Sequence, residues 1–181
     1  MIFENLGIID AFLIKPKLFE DNRGSFRRSF CTNEFKEHGL VFNALQGNIS
    51  ENPKLGTLRG FHYQLEPYQE AKVITCLTGG IFDVIIDLRN NSPTFLKTIS
   101  IRIDADNKNS LYIPKGCANA WLTTKENTII HYYMSEIYEA GHDKGIRYND
   151  SFFNIQWPFE PIIISKKDIS YPDYRLKKIN H

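Results

Sequence analysis

Apolar residues in this chain fall at every second position or bunch in short runs, and clusters of Gly, Pro, Asn and Asp cut the runs apart. Side chains two apart on a strand share a face, so the pattern reads as a series of strands. The first predicted strand is Ile8–Lys15, closed by Pro16. A turn at Glu20–Gly24 follows, and Ser25–Phe30 resumes an extended run. Further strands are predicted at Phe42–Ser50, Thr57–Gln64, Lys72–Thr78 and, after a tight turn at Gly79-Gly80, through Ile81–Leu88. Thr94–Ile103, Ser110–Ile113, Ala118–Thr123, Thr128–Met134 and Pro161–Ile164 complete the set, with a polar loop at Glu139–Gly145. The convincing helix of the first half starts at Thr32 or Asn33, runs through Glu37 and ends at Gly39. Short strands with frequent turns predict an all-β sandwich or barrel with a few short helices. Strands do not alternate with long helices, which excludes a doubly wound α/β sheet.

Composition narrows this further. At 181 residues the chain reads as one domain, 1–181, with enough length to bury a core. Twenty-two basic residues nearly cancel 21 acidic ones, so the totals carry no nucleic-acid footprint. Cys31, Cys76 and Cys117 are odd in number and lack CxxC spacing, which reads as reduced thiols in a cytoplasmic protein. No basic-then-apolar leader opens the sequence, and its apolar runs are too short to span a bilayer, so a soluble chain is expected.

The stretch GTLRGFHYQLEPYQEAKVITCLTGG from Gly56 carries the chemistry. His62 and Gln64 are two apart on one predicted strand, and Lys72 opens the run expected to partner it. An imidazole beside an ammonium on a cavity wall makes a proton acceptor next to an anion stabiliser, as proton abstraction beside a carbonyl requires. The competing reading is a surface histidine and a surface lysine. Gly56-x5-His62 and Lys72-x6-Gly79 fit the opening and close of a cupin motif, the jelly-roll class that often binds a metal. The donors here are His62, Gln64, Lys72 and Asn119; an ammonium is no ligand and amides are poor ones, so a metal-free site without a cofactor is expected.

Over nearly its whole length the chain resembles the dTDP-4-dehydrorhamnose 3,5-epimerase family. The resemblance is carried by DNRGSF at 21–26, QGNIS at 46–50, TLRGFHYQ at 57–64, Lys72, DVIIDLRNNSPTF at 83–95, IPKGCANAW at 113–121, Tyr132, Tyr138, GIRYND at 145–150, IQWP at 155–158 and SKKD at 165–168. It implies a cupin-type jelly-roll homodimer, N-terminal strands exchanged, acting on a nucleotide-diphosphate 4-keto-6-deoxy sugar in surface-polysaccharide synthesis. The C3 and C5 hydrogens of that sugar lie α to the ketone, and removal and return of a proton on opposite faces inverts the centre. By the family pattern His62 is the base, Asp168 its carboxylate partner, Lys72 the stabiliser of the C4 oxygen and Tyr132 the acid on the other face. Arg23 and Arg59 would hold the diphosphate, with Arg23 and Phe19 reaching across the dimer. Gln46 and Asn48 match polar positions for nucleotide or sugar, and Tyr138 an aromatic one.

The sequence departs from the pattern where ketone and base are recognised. Asn119 stands for a histidine that helps hold the C4 oxygen, and Arg28 for a glutamate that accepts from thymine; a guanidinium only donates. Gly47 and Ile49 replace an aspartate and a histidine. These changes leave open a GDP- or CDP-linked 4-keto sugar such as a heptose, a ketoisomerase, and a non-catalytic sugar-nucleotide binder.

Overall fold

The computed structural model describes residues 1–175. Strands β1 (Ile2–Asn5), β2 (Phe12–Lys15), β3 (Leu18–Asp21) and β4 (Gly24–Arg27) precede the helix α1 (Thr32–Glu37). Then come β5 (Gln46–Asn52), β6 (Thr57–Gln64), β7 (Lys72–Thr78), β8 (Gly80–Asp87) and β9 (Thr98–Asp104). The rest are β10 (Ser110–Ile113), β11 (Cys117–Thr123), β12 (Thr128–Met134), β13 (Asp143–Gly145), β14 (Ile163–Ile164) and the short helix α2 (Lys166–Ile169). One sheet has the order β1-β2-β10-β7-β12-β5 and the other β13-β6-β11-β8-β9, with β14 parallel to the start of β6; β3 and β4 form a separate hairpin. This is the expected all-β jelly-roll sandwich.

Alternation drives the layers. Inward residues of both sheets, Ile74, Cys76, Ile81, Ile85, Leu111, Trp121 and Ile130, form the central core. Each fully buried Ile contributes roughly 1.5–3 kcal/mol relative to exposure. The outer face of the first sheet packs Val73 and Tyr112 under Phe35 of α1 and Phe42. The outer face of the second packs Val84, Ile86, Ala118 and Ala120 against Ile146, Trp157 and Tyr174. Both faces of the second sheet are therefore covered, which fixes β6 and everything it carries.

The boundaries of β6, β7, β10 and β12 match the expectation. The first strand does not: Ile8–Ala11 is a turn, with Ala11 N–H donating to Ile8 O at 3.0 Å and Asp10 at φ 64°. Ile8 and Ala11 are apolar because the turn itself is buried, each being 0% exposed. Only Phe12–Lys15 is strand, paired with an unforeseen partner, Ile2–Asn5. Phe42 packs beneath α1 instead of starting β5, and Thr94 binds the Asp87 carboxylate in a loop ahead of β9. Cys31, not Thr32 or Asn33, is the N-cap of α1 and gives no side-chain bond, while Gly39 turns left-handed (φ 76°) at the other end, as expected. Within the loop read as polar, Asp143–Gly145 pairs with β6.

One correction bears on the chemistry. β6 and β7 are not paired with each other: β6 lies beside β11 and β13, β7 beside β10 and β12, in different sheets. His62 and Lys72 therefore approach across the sandwich. The three cysteines are free, and no helix among the described residues is long and apolar enough to cross a membrane.

Candidate active site

His62 stands on β6 directly opposite Asn119 of β11, so both face the sandwich interior. Its Nε2 lies 2.8 Å from Asp168 Oδ1. Asp168 is carried by α2, whose N-cap Ser165 accepts the Asp168 backbone N–H at 3.0 Å. Its other oxygen accepts Gly60 N–H at 3.3 Å, so both carboxylate oxygens are anchored to β6. Burial pushes the Asp168 carboxyl up, but the His62 hydrogen bond and charge, with Gly60 N–H and Ser165, more than offset this and hold it below the usual value. An ionised Asp168 fixes the proton on Nε2 and leaves Nδ1 as the accepting nitrogen; Nδ1 has no hydrogen-bond partner among the described residues.

Lys72 bridges the two sheets. From β7 its ammonium lies 2.9 Å from Asn119 Oδ1, 3.3 Å from the His62 carbonyl and 3.1 Å from Glu70 Oε1. Glu70 is buried and its other oxygen accepts Gln64 N–H at 3.2 Å. Asn119 in turn donates from Nδ2 to Asp83 Oδ2 at 3.3 Å. Burial raises the Asp83 carboxyl to about 8, against the opposing pull of the Asn119 hydrogen bond and the Lys72 charge.

Tyr132 stands on β12 in the facing sheet, packed into the central core with its ring 5.8 Å from Trp121. Burial raises its phenol, with the Arg59 charge pulling the other way, so the hydroxyl keeps its proton. Arg59 of β6 donates to Asn52 of β5 at 2.9 Å, a second link across the sandwich. Gln46 donates to Asn48 at 3.0 Å and accepts Tyr138 N–H at 3.0 Å. Gln64 accepts Glu139 N–H at 2.7 Å and so ties down the same loop. The Tyr138 hydroxyl donates to Asp143 at 3.1 Å, and Asp143 also pairs with Lys167, the neighbour of Asp168. No group of three or more His, Cys, Asp or Glu suited to a metal occurs among the described residues.

Three predicted binding residues lie elsewhere. Phe19 and Arg23 sit on the exposed β3–β4 hairpin, Phe19 beside Phe26 and Arg23 paired with Asp21 at 2.5 Å. Arg28 pairs with Glu34 of α1 at 2.5 Å. The polar partners of Arg23 and Arg28 among the described residues are these local carboxylates, not the His62 cluster.

The sequence model of the dTDP-4-dehydrorhamnose 3,5-epimerase family matches residues 5–175. The chain belongs to this family. A dTDP-4-dehydrorhamnose 3,5-epimerase from Shigella flexneri is 38% identical over 164 residues, covering 90% of each chain. Its counterpart from Sinorhizobium fredii is 36% identical over 173 residues, 95% of this chain and 89% of the relative. The crystal structure of the Bacillus anthracis dTDP-4-dehydrorhamnose 3,5-epimerase with TDP and PPi bound superposes with a TM-score of 0.92 at 37% identity, over 96% of this chain and 99% of that one. The reading as an isomerase, with a cupin jelly roll, stands on this membership.

The sequence reading of this epimerase passed over Asp83 and Glu70. Asp83 had a signal: it interrupts the inward row Ile81, Ile85 of an apolar strand, where an isolated carboxylate demands a partner. Glu70, in the loop before β7, had none beyond its charge two residues from Lys72.

Proposed function

We propose that this epimerase inverts C3, C5 or both in a dTDP-linked 4-keto-6-deoxy sugar, in the cytoplasm, without a metal or cofactor. The observation that carries the reading is the pairing of His62 with Asp168 on one sheet while the protonated phenol of Tyr132 stands on the other and Lys72 spans the gap. His62 Nδ1 takes the proton α to the ketone, and Asp168 stabilises the imidazolium that forms. The electron pair moves onto the C4 oxygen, where the Lys72 ammonium offsets the charge in a site of low dielectric. Tyr132 delivers its proton to the opposite face of the enolate carbon, the centre inverts, and solvent reprotonates the phenolate and takes up the proton held by the His62 imidazolium. Arg59 is assigned to the diphosphate; Gln46, Asn48 and Tyr138 hold nucleotide or sugar.

The substrate class rests on the family and on the relatives, which are named for a dTDP-linked sugar. The three free cysteines fit a reducing compartment. The molecule acts as a homodimer in this reading. An isolated two-stranded hairpin is marginal in water, yet β3–β4 projects Phe19 and Phe26, 53% and 69% exposed. A second copy covers the hairpin and receives Phe19, Arg23 and Arg28 at its own site. The test is incubation with the dTDP-linked 4-keto-6-deoxy sugar in D2O, alongside thermal shifts with dTDP, GDP, UDP and CDP. Deuterium at C3 or C5 with inverted product, and the largest stabilisation by dTDP, are expected. Binding without exchange makes the chain a sugar-nucleotide binder, and a larger shift with GDP or CDP overturns the nucleotide assignment.

A further inference from the structure

A lysine ammonium has three N–H donors, and in this structure three protein oxygens surround Lys72, two accepting hydrogen bonds and the third, Glu70 Oε1, in an ion pair. Two are immovable: the His62 carbonyl belongs to β6, and the buried Glu70 carboxylate is also held by Gln64 N–H. The third, Asn119 Oδ1 at 2.9 Å, is a neutral side-chain oxygen and the shortest of the contacts. A ketone oxygen that approaches Lys72 from the Asn119 side therefore gains that N–H only as Asn119 lets go. The structure also contains somewhere for Asn119 to turn. Asp83 is 0% exposed, binds Asn119 Nδ2 through Oδ2, and leaves Oδ1 buried with no partner among the described residues. A protonated carboxyl and a primary amide form a closed pair of two hydrogen bonds, Nδ2–H to Oδ2 and Oδ1–H to the amide oxygen.

We propose that Asn119 is a positioning residue acting through Lys72: its amide oxygen occupies the seat taken by the substrate's ketone oxygen, and on binding it turns onto the free oxygen of Asp83. The proposal rests on the assignment of Lys72 to the ketone oxygen. It reverses the expectation that Asn119 itself donates to that oxygen. The proton required on Asp83 agrees with its raised value of about 8, which burial causes. The exchange gives the site a preference for ligands that bring a carbonyl, since the nucleotide alone has nothing to offer Lys72.

Asn119→Ala and Asn119→Ser, which cannot reach Lys72, are compared with wild type by KM and kcat for the dTDP-linked 4-keto-6-deoxy sugar and by the thermal shift with dTDP alone. Both truncations remove the competitor, so KM falls about fivefold, the worth of one net hydrogen bond, while the dTDP shift stays unchanged. Asp83→Ala removes the alternative seat, and KM rises with the dTDP shift again unchanged. KM that rises or stays constant in the truncations overturns the proposal and returns Asn119 to the role of direct donor. The serine variant keeps a polar group inside and decides the matter should the alanine variant not fold. The two readings fail separately: a wild type that never exchanges deuterium refutes the epimerase on this sugar, whereas an active wild type whose truncations bind no better refutes the exchange.

Discussion

Asp168→Asn tests the base assignment most sharply, because the substitution preserves shape and changes the proton arrangement. Gly60 N–H donates to Oδ2 at 3.3 Å, so in the variant the amide oxygen is drawn to that side. The amide NH2 then faces His62 Nε2, which must become an acceptor, and the imidazole proton moves to Nδ1, the nitrogen meant to take the substrate's proton. The imidazolium also loses its partner. A hydrogen bond to a charged group is worth about 1.5–3 kcal/mol, and the attraction of unit charges about 4 Å apart is about 4 kcal/mol at an effective dielectric of about 20. The His62 side chain is 43% exposed, so solvent screens much of that attraction and about half is retained here. The two figures describe the same contact and do not add; the upper value, about 3 kcal/mol, is about two orders of magnitude in rate at about 1.36 kcal/mol per tenfold. The assay is deuterium wash-in at C3 and C5, with Asp168→Asn, His62→Ala and the double variant measured side by side. The double variant is expected to match His62→Ala, since the two residues act as one unit. Exchange within tenfold of wild type in Asp168→Asn, or additive losses in the double variant, refutes the pairing as the source of the base. Stability supplies an independent sign. Asp168 titrates below its usual value in the fold, so its contribution is present above the unfolded carboxylate pKa and is lost as pH falls through the folded one. Asp168→Asn is therefore less stable than wild type near neutrality, and thermal melts of the two converge on acidification.

Two further outcomes are expected. Tyr132→Phe keeps the ring against Trp121 and removes only the hydroxyl, so in D2O it still exchanges through His62 while inverted product falls by at least about a hundredfold, the low end for loss of a general acid; inversion at the wild-type rate makes Tyr132 a packing residue. Full activity persists in chelator, and elemental analysis of active protein purified without a metal-affinity tag shows substoichiometric metal; activity lost together with a stoichiometric ion would overturn the metal-free mechanism.

Two strands beside glycine turns were legible to the residue, Thr57–Gln64 after Gly56 and Lys72–Thr78 before Gly79. Such runs combine an inward face with turn chemistry at each end, and the two signals agree. The N-terminal segment failed because Ile8 and Ala11 are apolar for a different reason, burial of a turn, which alternation does not separate from a strand. Sequence proximity also misled: seven residues, 65–71, connect β6 to β7, and such a link reads as a hairpin although it crosses from one sheet to the other. Of the site, His62 and Lys72 stood out as residue types in one stretch. Asp168 lies 106 residues from His62, and only the family resemblance joined them. The neighbours of Asn119 were invisible in the sequence, because hydrogen bonds to Lys72 and Asp83 depend on which strands lie side by side.

In the proposed mechanism the architecture accounts for inversion more directly than any single residue. Packed sheets stand about 10 Å apart, which leaves room for a sugar ring only if side chains on both walls give way to it. In the proposed mechanism His62 and its carboxylate Asp168 belong to the wall built from β6 and α2, and the Tyr132 phenol to the wall built from β12. A ring held between them meets an acceptor on one face and a donor on the other, so inversion follows from the sandwich and simple exchange requires the loss of one wall. Lys72 starts on the phenol's sheet and ends at Asn119 and the His62 carbonyl on the opposite one. Its charge therefore lies at the seam between the two walls. In that mechanism one ammonium serves either carbon, and the choice between them falls to whatever turns the ring.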